Sequence, residues 1–234
     1  MKVKIKHPVF DSIKAIFKLF KKRPDIIDLN SAPVSSGIFI ANHSAAGGPF
    51  TYELYFPRSI VPWGTHEMCG NYMERWHYLY DVFYRQKLGF GKIKAFVIAT
   101  SFALVSKMLY DGAELIPTYR DLRFKTTIKR SIEALSAGKS VLIFPENSID
   151  GYHEVLTELH SGFLTLAKRF FEQTGTDVPI YPVYFSNKRN RMIIDRPFFL
   201  GALMCEHGSG DRRHITELLR DRMNELNRRY VLHA

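Results

Sequence analysis

Gly37-Ile-Phe-Ile-Ala-Asn-His-Ser44 is a short apolar, β-rich run that stops abruptly at polar groups. A second block, Val141-Leu-Ile-Phe-Pro-Glu-Asn-Ser148, has the same form. Buried strands of open α/β sheets present chemistry at their C-terminal ends, and each block fits that pattern. Asn42 and His43 end the first strand; Pro145, Glu146, Asn147 and Ser148 end the second. One histidine and one glutamate at two strand ends point to a single site.

Further elements follow on both sides of these blocks. Ser59–Pro62, Glu114–Tyr119, Ile180–Phe185 and Met192–Phe198 read as strands. Phe96–Met108, Phe124–Ala137, Gly162–Gln173 and a segment from about Asp211 to Tyr230 read as helices. Alternation of this kind implies an α/β fold, with a mostly parallel or mixed sheet flanked by helices. No repeat or linker divides the 234 residues, so a single domain is expected.

The N-terminal region reads as an amphipathic helix. Phe10, Ile13, Phe17 and Phe20 form an apolar stripe widened by Ile16 and Leu19, and Pro24 ends the helix. Lys14, Lys18, Lys21, Lys22 and Arg23 crowd its other positions. Such a segment suits an interfacial membrane anchor, and it equally suits a terminal helix covering the core. The expected division is an N-terminal segment over 1–29 and an α/β domain over 30–234.

Composition narrows the function classes. A net charge of +10 predicts attraction to polyanions: nucleic acid, an anionic membrane, or phosphorylated and CoA-bearing substrates. Residues 70–91 interleave aromatics with basic residues (Tyr72, Arg75, Trp76, Tyr84, Arg85), a pattern better explained by a packed helix with snorkelling cations than by base stacking. No run approaches the ~18 uninterrupted apolar residues of a membrane-spanning helix, and Met1–His7 lacks the apolar core of a secretory signal. The two cysteines form no metal or disulfide framework, which fits a reducing, cytoplasmic setting.

His43 is the candidate general base, because imidazole takes up a proton near neutral pH. Arg120 follows the strand Leu115–Tyr119 and offers a planar fork suited to phosphate, unless Asp121 or Glu114 holds it in an ion pair. His66, His153 and His160 lack metal-ligand spacing, so no metal is expected. Ser44 and Ser148 sit in no nucleophile elbow, and no phosphate-binding glycine loop is present.

Taken together, these blocks resemble the glycerolipid acyltransferase family of the 1-acylglycerol-3-phosphate acyltransferase type. Asn42-His43 resembles its first block, Gly112–Arg120 its second, Phe144–Ile149 its Phe-Pro-Glu-Gly-Thr-Arg block, and Val178–Val183 its fourth. His160-Ser-Gly-Phe163 is similar to the opening of the family helix between the last two. The resemblance covers about residues 36–185.

It implies acyl transfer from acyl-CoA or acyl-carrier protein to a lysophospholipid hydroxyl, with no cofactor beyond that co-substrate. His43 would be the catalytic base. Asn42, Arg120, Glu146, Asn147 and Ser148 would bind substrate. The expected partners are the thioester donor, the hydroxyl acceptor and a membrane surface, without nucleic acid. The expected location is cytoplasmic, peripheral on the inner face of the membrane.

Two departures stand out. Gly48 occupies the position of the family aspartate that orients the histidine, and Ile149 replaces the arginine of the third block. Glu53 is the candidate substitute carboxylate, with Tyr52 as a candidate hydrogen-bonding group. The remaining readings are an acyl- or lipid-binding protein with impaired catalysis and an acyltransferase with a different acceptor.

Overall fold

A computed structural model describes residues 8–31, 36–44, 47–147, 151–201 and 212–232. Its centre is a seven-stranded sheet of order β1-β7-β6-β2-β5-β3-β4. In chain order the strands are β1 (Asp25–Asp28), β2 (Ile38–Ala41), β3 (Ile60–Thr65), β4 (Ile116–Thr118), β5 (Ser140–Ile143), β6 (Ile180–Ser186) and β7 (Arg191–Ile194). All neighbouring pairs are parallel except β6 with β7. Each parallel return needs a crossover long enough for a helix, so helices cover both faces and the central strands become apolar throughout. The single-domain, mostly parallel α/β fold expected from sequence is the one observed.

Strand alternation sorts the core into two halves. Ile38, Ile40, Val141, Ile143 and Ile180 pack with α5 (Phe124–Ser136), α6 (Gly162–Thr174) and the C-terminal helix α7 (Arg212–Asn227). Phe39, Ala41, Leu142, Tyr181 and Val183 face the other way, onto Tyr52 of α2 (Gly47–Tyr55). The register sets Phe39 of β2 beside Leu142 of β5 and Tyr181 of β6. The ends of β2 and β5 therefore lie side by side.

Between β3 and β4 the chain makes a separate helical layer: α3 (Tyr72–His77), a π-helix continuing it (Tyr78–Lys87), and α4 (Lys92–Gly112). Its interior is built from Met68, Leu79, Tyr84, Ala95, Ala99 and Ala103. Arg75 is 5% exposed. Its guanidinium donates to Gly70 O at 2.6 Å, Ala103 O at 3.1 Å and Ser106 Oγ at 3.1 Å. Arg75 is thus a packed residue of this layer, as the helix reading expects.

The N-terminal helix α1 (Pro8–Phe20) forms as expected. It is docked along its length: Phe10 is buried, Lys14 pairs with Glu53 of α2 at 2.6 Å, Phe17 meets Phe50 edge-on at 4.7 Å, and Tyr55 of α2 donates its hydroxyl proton to Lys21 O. Only side chains of the last turn face outward, Leu19 82% and Phe20 84% exposed.

The division at residue 29 needs correction. Asp25–Asp28 is β1, paired in parallel with β7, so the sheet begins inside the segment assigned to the appendage. The strand is short, with a charged residue at each end, and carries no alternation long enough to read. Residues 32–35, between β1 and β2, lie outside the described chain.

Helix α7 caps the domain and fastens a loop. Asn224 bonds Leu156 through both its amide atoms, at 2.8 and 2.9 Å, and Asn227 donates to Glu154 O at 3.2 Å. Tyr184 of β6 donates its hydroxyl proton to the same carbonyl at 2.6 Å. The segment 151–159 is thus held from two sides.

Candidate active site

His43 lies just beyond the end of β2, half-buried. Its backbone N–H donates to the carboxylate of Glu146, three residues beyond the end of β5. The two blocks read from sequence are therefore in direct contact across 103 residues of chain. The imidazole stacks on Tyr152 with centroids 4.2 Å apart and planes 14° from parallel. The Phe144 ring approaches it at 5.2 Å.

Glu146 is clamped in place. Residue 146 pairs with Leu159 in an antiparallel bridge, and His160 N–H donates to Pro145 O at 2.7 Å. Burial raises the Glu146 carboxyl to about 7, an effect that the His43 N–H and the Lys87 ammonium partly offset. Lys87, at the end of the π-helix, is itself lowered by burial and then by Arg120, while Glu146 raises it. Its ammonium lies over the Tyr152 ring, 5.5 Å from the centroid. Lys87 thus puts a cation beside the Glu146 carboxylate, with His43 and Tyr152 alongside and Arg120 near Lys87.

Arg120 is exposed, two residues past β4. Neither carboxylate that could have claimed it does so. Asp121 pairs with Arg123 at 2.7 Å, and Glu114 pairs with Lys139. The phosphate-binding reading of Arg120 thereby gains ground over the ion-pair reading.

Asn42 turns out to act from beneath the site. Its side chain is 1% exposed, donating to Phe185 O at 2.8 Å and accepting from Phe185 N–H at 2.7 Å. The amide continues the β2–β6 ladder one residue further and fixes the backbone that carries His43. Its expected contact with substrate is replaced by this positioning role. Asn147 donates to Glu158 at 2.8 Å, so it braces the glutamate corner, and its buried Oδ1 has no partner among the described residues. Ser148 lies outside the described residues, as do Ile149 and Asp150.

The expectation for Glu53 also needs correction. Tyr52 points into the sheet, 3.4 Å from Asn42 Oδ1, so the next residue on the helix faces away toward α1. There the Glu53 carboxylate holds Lys14. Helical geometry separates the two neighbours by about 100°, which a linear reading did not weigh.

Gly48 has a steric reason. A Cβ there would sit 1.9 Å from the His43 carbonyl oxygen and 2.8 Å from its carbon. The first turn of α2 presses directly on the His43 backbone, leaving no room for an aspartate. Among the described residues, Tyr152 and Phe144 lie against the His43 ring and Glu146 takes its backbone N–H. Lys87 and Tyr152 were missed from sequence because both reach the site through tertiary packing of loops and helices, with no local motif.

The family profile described as Acyltransferase matches residues 26–186. This chain belongs to the acyltransferase family. The match includes both strand-end blocks, Arg120, and the helical layer that supplies Lys87. No curated protein matches the chain. Among solved structures, the chain is similar to the 1-acyl-sn-glycerophosphate (LPA) acyltransferase PlsC from Thermotoga maritima. The two are 15% identical with a TM-score of 0.50, over 95% of this chain and 81% of that one. That likeness is one of fold.

Two outcomes are expected. The Glu146 carboxyl titrates near 7 when folded, against about 4.5 for the ordinary side chain. Between those values the folded protein holds a proton that the unfolded chain has released. Stability from this group is therefore full below about pH 4.5 and falls as pH rises to about 7, by at most about 1.4 kcal/mol per pH unit. Glu146→Gln keeps the acceptor for His43 N–H and should remove that fall. Urea unfolding from pH 5 to 8 measures it, and parallel curves for the two proteins would contradict the assignment. Separately, Gly48→Asp should lower thermal stability by several degrees and not raise any activity, because Cβ meets backbone.

Proposed function

We propose that the protein moves a fatty acyl group from an acyl thioester, on CoA or acyl-carrier protein, to the hydroxyl of a lysophospholipid such as 1-acylglycerol 3-phosphate. The observation that carries this reading is the convergence at one edge of the sheet of His43, the Pro145-Glu146 corner and the cations Lys87 and Arg120. A base beside two cations is what a phosphate-bearing alcohol requires.

In this mechanism the phosphate lies toward Arg120 and Lys87, and the acceptor hydroxyl lies at the His43 imidazole. His43 takes the hydroxyl proton as the oxygen attacks the thioester carbonyl. The C–O bond forms, the C–S bond breaks, and the imidazolium returns its proton to the departing thiolate. No acyl-enzyme is formed. The Tyr152 face stabilises the imidazolium through a cation–π contact, a role given elsewhere in the family to the aspartate at position 48. Asn42 and Glu146 hold the His43 backbone while this happens.

The lipid acceptor makes an anionic membrane surface the natural place of work, on the cytoplasmic side and without a membrane-spanning segment. Lys22 and Arg23, exposed just past the end of α1, each add ~1 kcal/mol of attraction near an anionic leaflet. The second reading, a lipid-binding protein without turnover, draws on Gly48 and is an outcome of the same experiment.

Thiol release from acyl-CoA with 1-acylglycerol 3-phosphate is the measurement. His43→Ala should reduce turnover by about 10²–10⁴-fold. Lys87→Met and Arg120→Met should mainly raise KM for the phosphate-bearing acceptor, with less effect for an uncharged monoacylglycerol. Wild-type turnover in His43→Ala rules out the imidazole as base. Acyl-CoA binding without turnover against any acceptor supports the second reading.

A further inference from the structure

Helix α4 is built inside out. Ala95, Ala99, Ala103 and Ser106 form its buried face, packed on α3 and the π-helix. Ile98, Phe102 and Tyr110 flank that face and pack partly against the same interior, but six other large apolar residues point away from the protein. Ile93 is 83% exposed, Phe96 53%, Val97 57%, Leu104 68%, Val105 44% and Met108 38%. These positions follow i, i+3, i+4, i+11, i+12 and i+15, one stripe along the helix broken for a single turn by Thr100 and Ser101. The 21-residue helix is long and apolar enough by length and composition to cross a bilayer, yet only 22% of its apolar window is buried. Shorter apolar runs interrupted by Ser and Thr hid this from an uninterrupted-run reading of the sequence. The core-helix explanation fails, because a core helix buries its large side chains.

We infer that the Ile93–Met108 face of α4 lies in the plane of an anionic bilayer, sunk to the level of the acyl-chain boundary. An in-plane placement follows from the alanine face, which stays packed on the protein along the same length. Charge selects the occupant. Lys92 and Lys94 at one end are placed to reach headgroups from an apolar stripe, and Lys107 near the other end pairs with Asp111 at 3.0 Å. The chain as a whole carries +10, which an anionic leaflet complements and a second copy of the same chain does not. Phe10 of α1 closes on Gly112 at the far end of α4, so the two amphipathic helices adjoin. The near end begins five residues after Lys87, at the site.

This surface is independent of the chemistry at His43, and vesicle binding needs no turnover. The full chain is sedimented with phosphatidylcholine vesicles containing about 30% phosphatidylglycerol. Val97→Asp/Leu104→Asp should bind at least about tenfold more weakly than wild type. Phe171→Asp, which alters an equally exposed apolar residue on α6, should bind as wild type does. In a second measurement, Phe96→Trp should show fluorescence quenched by chain-brominated lipid beyond that of the wild-type protein. Undiminished binding by the double variant overturns the inference. So does an unquenched new tryptophan, or a solution dimer that the double variant abolishes.

Discussion

The hydrogen bond from the His43 backbone to the Glu146 carboxylate joins the ends of two adjacent central strands, and the rest of the site is arranged around it. A carboxylate accepting a backbone N–H in a half-buried corner must itself be held. The bridge to Leu159 and the His160–Pro145 bond hold it, and they do so only because 158–160 fold back along the end of β5. The cost of burying this charge shows in its raised titration point, which the nearby Lys87 reduces. Lys87 therefore serves the fold before any ligand arrives.

Gly48 is part of a consistent local design. With no side chain at 48, the first turn of α2 closes on the His43 carbonyl. That approach brings Tyr52 under Asn42, and Asn42 locks onto Phe185 of β6. The imidazole is faced by the ring of Tyr152. Tyr152 in turn depends on the loop that Asn224, Asn227 and Tyr184 fasten. The C-terminal helix, some seventy residues away in sequence, so sets the plane of a ring stacked on the candidate base.

Much of this was legible in the sequence, and for a clear reason. β2, β5 and β6 are buried on both faces, so their apolar runs are unbroken and end where polarity begins; His43, Glu146 and Arg120 could be found by where strands stop. β1 was illegible because four residues with charged ends carry too little pattern. Glu53 was misassigned because adjacency in sequence on a helix means divergence in space, and Asn42 because a strand-end amide can serve the ladder as well as a substrate. Lys87 and Tyr152 carry no local signal at all: a lysine ending a π-helix and a tyrosine in a loop become neighbours of Glu146 and His43 only after the helical layer and α7 have docked.

The helical layer between β3 and β4 connects two demands that conflict in a water-soluble domain. One limb ends in Lys87 among charges; the other, α4, presents large apolar side chains outward. Exposing such a stripe to water costs ~25 cal/mol for each Å² of apolar surface, so a chain without an apolar partner would be more stable with the alanine and leucine faces exchanged. The alanines are instead kept inside, where their small size lets α4 lie close against the aromatic π-helix. Close packing on one face and an apolar stripe on the other make α4 a rigid link between a lipid-facing surface and the cation at the site. A hydroxyl acceptor that lives in a bilayer with its phosphate at the surface has the same division, chain in oil and charge in water, and the hairpin matches it limb for limb.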